Sequence, residues 1–334
     1  DMLMAGKTLP GVYGASSPRM NVADLRTKGW EASVTWGDSF TLASKPFNYR
    51  IMAGIGDNTS KVTKYDNPNR TLTDPYEGQQ LGEIWGYVVD GYFKTDEEAR
   101  NYKVDQSFVN QMINASALDN GLHAGDLKFV DLDGNNKIEQ TTSANDRKDM
   151  KVIGNSLPRY NYNFGISADW YGIDFSVLFQ GIGKQNWYPG AETSMFWGPY
   201  SRPYASFIPS DFMSQVWSEE NTNAYFPRPR GYVALGSNRE LAVVNTKYLQ
   251  NLAYCRLKNL SIGYTLPDKW LSKIGFEKIR VYFSGENLLT FTKLHSDYID
   301  PEQASASNSW KTSKSDANIY PWAKTYSFGV DITF

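Results

Sequence analysis

The sequence predicts an all-β protein, an antiparallel transmembrane barrel to which this chain contributes eight strands. Three observations predict it. Several segments alternate apolar and polar residues with period two. The connections between those segments alternate short and long. Aromatic residues make up 15% of the chain, yet the mean hydropathy is -0.51. A barrel in a membrane accounts for all three. Its lipid-facing and water-facing residues alternate and cancel in an average, and its connections are short on one side and long on the other. A soluble β-sandwich shares part of the composition but has no reason to alternate its connections.

The strands follow in chain order. Asp1–Gly6 reads as a first fragment. Trp30, Ala32, Val34 and Trp36 alternate with Glu31, Ser33 and Thr35. Phe47, Tyr49, Ile51, Ala53 and Ile55 form the next apolar face. Tyr160, Tyr162, Phe164, Ile166, Ala168 and Trp170 make a longer one, and Ile173, Phe175, Val177 and Phe179 follow after Tyr171-Gly172. A segment over Lys247–Leu266 places Leu260, Ile262 and Tyr264 opposite Asn259, Ser261 and Gly263. Ile279, Val281 and Phe283 oppose Arg280, Tyr282 and Ser284, and the chain ends with Tyr326, Phe328, Val330, Ile332 and Phe334 on one face. The short links are Gly37–Lys45, Tyr171-Gly172 and Pro267–Glu277; the long ones cover about 7–28, 62–157, 184–246 and 290–321. In a membrane barrel the long links are extracellular and the short ones periplasmic, so the last strand runs down to a periplasmic C-terminus.

Eight strands can close a small barrel. Four long loops suit a wider one, because most connections in compact folds are short. A plugged, 22-stranded transporter barrel is such a case, and this chain then supplies its C-terminal eight strands. Asp1-Met2-Leu3-Met4 has no basic region or cleavage site. An outer-membrane protein needs a signal peptide, so the sequence is expected to begin inside a longer gene product.

Composition excludes several function classes. Lys and Arg number 34 against 36 Asp and Glu, for a net charge of -2, so no basic face points to nucleic acid. Cys255 is the single cysteine, so no intrachain disulfide forms. His123 and His295 lie far apart in sequence, which gives a hydrolase triad or a zinc site little support. Nothing in the chain reads as catalytic. No stretch reaches the ~20 apolar residues of a membrane helix.

Four segments carry a family resemblance. They are NVADLRTKGWEASVTW from Asn21, GDLKFVDLDGNNKIE from Gly125 with the VIGNSLPRYNYNFGISADWYGIDFSVLFQGIG that follows it, LKNLSIGYTLPDKWLSKIGFEKIRVYFSGENLLTF from Leu257, and the terminal YSFGVDITF. In this order they resemble the C-terminal barrel portion of SusC-like (SusC/RagA) TonB-dependent outer-membrane transporters of Bacteroidetes. One departure is LHSDYIDPE from Leu294, longer than the family's usual link to an acidic-proline pair; it touches loop shape. The resemblance implies import of an oligosaccharide or an oligopeptide, glycan favoured, energised through TonB. It implies a SusD-like surface lipoprotein as lid, and a plug and remaining barrel N-terminal to this chain. Lipid and lipopolysaccharide would surround the wall. The reading from another class is a structural or adhesive barrel that transports nothing; the plug sequence would separate the two.

Two candidate sites stand out. Asp131, Asp133, Asn135, the Lys137 carbonyl and Glu139 follow the oxygen-ligand spacing of a calcium loop, with Ile138 as apolar anchor. Asn136 stands where the template has glycine, and Thr142 where it has a bidentate Glu; Glu139, Asp146 or Asp149 can take that place. A plain Asx turn fits the same residues. The second site is a set of loop aromatics, Trp187, Tyr188, Trp197, Tyr200 and Trp310, with Phe207, Tyr320 and Trp322 in the wider group. Phe196, Tyr204, Trp217, Tyr225 and Phe226 belong to the same wider group. Such rings stack on sugars, and they equally pack loops, form an interfacial girdle or meet a lid. Arg159, Asp174, Arg280, Glu286 and Asp331 point into the lumen by parity, where contact with the plug is the first expectation and substrate second.

Overall fold

The structure is a computed structural model. It describes residues 2–5, 11–14, 18–109, 121–202, 207–236, 238–271, 275–304, 314–315 and 320–334. One eight-stranded sheet dominates it. Its strands are β1 (Met2–Ala5), β2 (Arg19–Leu42), β3 (Lys45–Tyr65), β4 (Arg159–Trp170), β5 (Ile173–Lys184), β6 (Tyr254–Thr265), β7 (Lys278–Thr292) and β8 (Thr325–Thr333). Each pairs antiparallel with its chain neighbours. Among the described residues no ladder joins β1 to β8, so these strands form an arc rather than a closed pore.

Period-two alternation becomes two faces across the whole arc. Trp36, Ile51, Ile166, Val177 and Leu260 stand opposite one another strand by strand. Three residues along, and four on β6 across its bulge, Ser33, Gly54, Asn163, Gln180, Arg256 and Thr290 form a continuous polar row. Phe328 is 83% exposed and Val330 58% exposed, so this face presents large apolar groups at the surface. The polar face neutralises itself. Arg280 donates to Asp174 at 2.6 Å and to Asp331 at 3.2 Å, spanning four strands, and at the loop end Arg159 pairs with Asp57, which stands opposite Trp30. Gly263 makes the first link possible: a Cβ there would lie 2.5 Å from the Asp174 carboxylate and 2.6 Å from the Arg280 guanidinium. The expected plug contacts of Arg159, Arg280, Asp174 and Asp331 are thus partly replaced by partners within the wall. Glu286 is exposed.

Two connections at one end of the arc are minimal. Ala43 (φ 48°) and Ser44 (φ 62°) join β2 to β3, and Tyr171 (φ 49°) and Gly172 (φ 85°) join β4 to β5. Positive φ at both central positions matches the right-handed twist of the flanking strands. The Tyr171-Gly172 link agrees with the sequence reading. Gly37–Lys45 does not: both strands run on to a two-residue turn. Other bounds also move. β2 starts at Arg19 inside the expected 7–28 loop, β3 runs to Tyr65 past residue 62, the third long connection extends to Ala253 rather than 246, and β7 continues to Thr292 past residue 290. Three of these shifts share a reason: ladder hydrogen bonds need no apolar side chains, so β2, β3 and β7 outrun the apolar alternation that reveals them. The fourth is the reverse, because Lys247–Ala253 is held by the loop body and β6 begins only at Tyr254.

The long connections gather at the opposite end into a second body. Small ladders hold it: Glu83–Tyr87 with Met150–Asn155, Val89–Tyr92 with Leu127–Phe129, and Asn186–Pro189 between Gln250–Asn251 and Lys314–Ser315. Its core is aromatic, with Trp187, Tyr188, Trp197, Tyr200, Phe226 and Tyr248 all 1% exposed or less. A buried ion triad pins its two largest loops together. Arg230 pairs with Asp126 and, at 2.6 Å, with Glu240, and all three side chains are at most 5% exposed.

Candidate ligand cleft and cation loop

The aromatics expected to meet substrate lie inside this core. Trp197 donates to the Gly190 carbonyl at 2.9 Å and packs on Tyr248 at 5.2 Å. Tyr188 donates to the Leu241 carbonyl at 2.8 Å, and Tyr200 to that of Pro227 at 2.6 Å while stacking on Phe226 at 5.9 Å. Trp187 is 0% exposed. A sugar needs an open ring face, and protein covers these four. Trp187, Tyr188, Trp197 and Tyr200 therefore hold the loop body together rather than line a binding surface. Buried Trp and Tyr need a partner for their one polar group, and backbone carbonyls supply it here. Trp310 lies outside the described residues.

Open aromatic faces occur elsewhere. A cleft of about 770 Å³ opens between the loop body and the polar face of the wall. Thr290 and Thr292 of β7 form part of its lining with Asn287, Phe207, Tyr298, Tyr320, Trp322 and Lys324. Phe207 and Tyr298 meet edge to face at 4.7 Å, and Trp322 is 52% exposed. Arg256 anchors the cleft. It donates to Asp300 at 2.7 Å, to Glu302 at 2.6 Å and to Thr290 at 2.9 Å, and is 3% exposed. Lys258 reaches Glu302 at 2.7 Å. A bulge between Leu257 and Asn259 brings Lys258 to the same partner as Arg256, since one extra residue there shifts the strand register. The backbone N–H of Trp322 donates to Asp300 at 3.1 Å, so both ends of the last long connection are tied to one buried pair. Two cations meet two carboxylates, and the cluster has no net charge. Charge-assisted, multiply bonded contacts of this kind fix geometry more than they add stability. Sequence reasoning missed Arg256, Asp300 and Glu302. The signal was the DYIDPE run, which carries a structural clamp as well as loop shape.

The calcium-like loop is a tight turn held by its own acidic and amide side chains. Asp131 accepts from the N–H groups of Gly134 and Asn136, both at 2.7 Å, and Asn136 takes φ 62° where the template has glycine. Asn135 accepts from the Lys137 N–H at 2.8 Å, and Ile138 is 0% exposed as the anchor. Glu139 does not close the site. It turns to Lys148 at 3.2 Å. Asp149 takes its place: it is 0% exposed, and its carboxylate lies with those of Asp131 and Asp133, all within 4.8 Å of one another. Burial raises the Asp149 pKa, and the neighbouring Asp133 and Asp131 add to the shift, while N–H groups of Glu139 and Leu132 oppose it. Three carboxylates, the Asn135 amide and a main-chain carbonyl make a hard-oxygen donor set that suits Ca²⁺.

The described residues form a wide antiparallel wall with one apolar and one polar face and a loop body at one end. No family model matches the chain. TonB-dependent receptor P3 of Formosa agariphila is 27% identical over 99% of the chain and 31% of that protein. TonB-dependent receptor SusC of Bacteroides thetaiotaomicron is 21% identical over 100% of the chain and 29% of its own length. Among solved structures, the RagAB peptide importer in its open-open state shares the fold with a TM-score of 0.66 at 19% identity, over 100% of this chain and 31% of that one. Over nearly its whole length the chain is similar to SusC-like TonB-dependent receptors, and it spans about a third of the length of the relatives it matches. That family consists of transporters, not enzymes.

Proposed function

We propose that the protein imports an oligomeric nutrient across the bacterial outer membrane. In this reading the arc is the C-terminal part of a 22-stranded barrel, with the loop body outside and Phe334 in the periplasm. TonB energises it through a plug, and a SusD-like lipoprotein closes it from above. The observation that carries the reading is the cleft between loop body and inner wall. Its aromatic faces, Trp322 and Tyr298, stand beside the hydroxyls of Thr290 and Thr292 and the balanced Arg256 cluster. Flat rings next to hydroxyl partners, without net charge, suit a neutral glycan. An oligopeptide is the second reading, favoured by the likeness in fold to a peptide importer. The Asp131 loop would hold Ca²⁺ and stiffen the rim that meets the lid.

The test is uptake by cells carrying the full-length receptor and its lid, offered neutral oligosaccharides and mixed oligopeptides separately. Oligosaccharide uptake that falls with Trp322→Ala is the expected result. Peptide uptake alone, with the same dependence on Trp322, would replace glycan by peptide. Transport of neither would favour a structural barrel.

A further inference from the structure

The outer face of the wall changes character at one level. On β4 the apolar face runs from Tyr160 to Trp170. Ten residue steps are about 33 Å of strand. At a usual tilt that is roughly 25 Å of height, the thickness of the lipid-facing band. On the neighbouring hairpin the same face carries Trp30 on β2 and Ile55 on β3, both exposed. Beyond Trp30, away from the two-residue turn, the outward positions become Lys28, Arg26, Lys61 and Lys64. All four are exposed.

The register fixes how these charges meet. Arg26 stands directly opposite Lys61, and Lys28 opposite Thr59, one outward step nearer the band. Thr27 and Ser60, the pair between them, turn to the other face, where their hydroxyls lie 2.7 Å apart. No register shift intervenes between these pairs and Trp30. Two acids share the neighbourhood. Asp57 is taken by Arg159, and Asp24 stands across from Lys64 at the far end. Among the described residues Arg26, Lys28 and Lys61 make no ion pair. Like charges directly opposite each other across two strands are destabilising. Here the repulsion is placed at the edge of the apolar band, where phosphate groups of an outer-leaflet glycolipid lie.

We infer that Arg26, Lys28 and Lys61 form a docking site for the phosphate groups of a lipid A-type glycolipid. The site rests on the membrane orientation proposed above. Arg26 offers a planar pair of donors to phosphate oxygens, and the two lysines add point charges on either side. The anion relieves the cross-strand repulsion, so the hairpin end and the lipid stabilise each other.

The test uses the full-length receptor purified in detergent, stripped of lipid and titrated with phosphorylated lipid A or with the same lipid after phosphatase treatment. Retained glycolipid is read by native mass spectrometry. The wild type should prefer the phosphorylated form by about tenfold, equivalent to about 1.4 kcal/mol. The triple substitution Arg26→Gln, Lys28→Gln, Lys61→Gln should bring the ratio near one, with heat-modifiable mobility unchanged. Lys45→Gln, at the turn end of the same hairpin, should keep it. No preference in the wild type, or a preference that survives the triple substitution, would overturn the site. So would full displacement of the lipid by millimolar inorganic phosphate, which would make it a free-anion site. A receptor that retains neither lipid form nor a detergent belt would fail the membrane reading itself, a separate outcome.

Discussion

The wall and the loop body use the same residues in opposite ways. On the wall, Trp36, Phe164 and Phe328 point outward and stay exposed, while polar groups such as Asn163 and Gln180 face inward. In the loop body Trp187, Trp197 and Phe226 are sealed inside. The wall is held by ladders, which pair the backbone groups of each strand with its neighbours. The loop body has short ladders only, and it relies on aromatic packing, hydroxyl-to-carbonyl bonds and buried ion pairs. Long aqueous loops need such a core, because ordering each residue costs about 1–2 kcal/mol of backbone entropy. An aromatic residue therefore has no fixed meaning in this chain; its element decides whether lipid, core or cleft receives it.

Perturbing each region separately breaks the comparison if the regions are not distinct. The largest effect is expected at Phe334, which ends the outward row of β8. Replacing it with Asp, or deleting it, should remove most of the folded, heat-modifiable receptor from the membrane. An unchanged yield would deny β8 its role in assembly. Next is Arg230→Ala, which leaves Asp126 and Glu240 buried without their cation. Losing one member of a buried ion cluster costs about 3–5 kcal/mol. The loop body should become protease-sensitive while the barrel keeps its heat-modifiable mobility; loss of both together would show one cooperative unit.

Two smaller effects sharpen the picture of the loops. Asp131→Ala with Asp133→Ala should abolish calcium-dependent protection of the 66–158 connection against protease. Equal cleavage of the wild type with calcium and with chelator would reduce the loop to an Asx turn. The smallest effect concerns His295. It stacks on Tyr225 at 3.5 Å, bonds Gln215 at 2.8 Å and packs edge-on against Phe196 and Phe226. Burial pushes its pKa below the usual 6.5, Asp297 pulls back against it, and Lys247 adds a smaller push downward. A histidine depressed on folding stays neutral in the folded state, so its penalty is absent above pH 6.5 and grows as pH falls below it. Protease resistance of the loop body should decline below about pH 6.5, and His295→Gln should flatten that decline. The same slope in the variant would assign it to other groups.

Legibility in the sequence follows the same division. The wall was readable because a sheet buried on one side imposes a two-residue period, which Tyr326 to Phe334 display without interruption. Strand ends were not, since residues 19–28 of β2 break the apolar alternation and pair through backbone and hydroxyl groups. In the loops no period exists. Trp197 and Trp322 look alike as residues, yet one is core and the other lines the cleft. Arg256 and Asp300 meet across 44 residues, a separation no local pattern records. The turn at Asp131–Asn136 was readable because its hydrogen bonds are local, whereas Asp149 joins its carboxylates from a later turn.

The most direct test of the central claim, an outward apolar face in lipid and an inward polar face in water, is a nitroxide scan of β8 in membranes. Single cysteines at 325 through 332, in a Cys255→Ser background, would carry the label. Collisions with oxygen should peak at 326, 328, 330 and 332, and collisions with a water-soluble nickel chelate at 325, 327, 329 and 331. Accessibility without a two-residue period, or with the two probes in phase, would contradict the account.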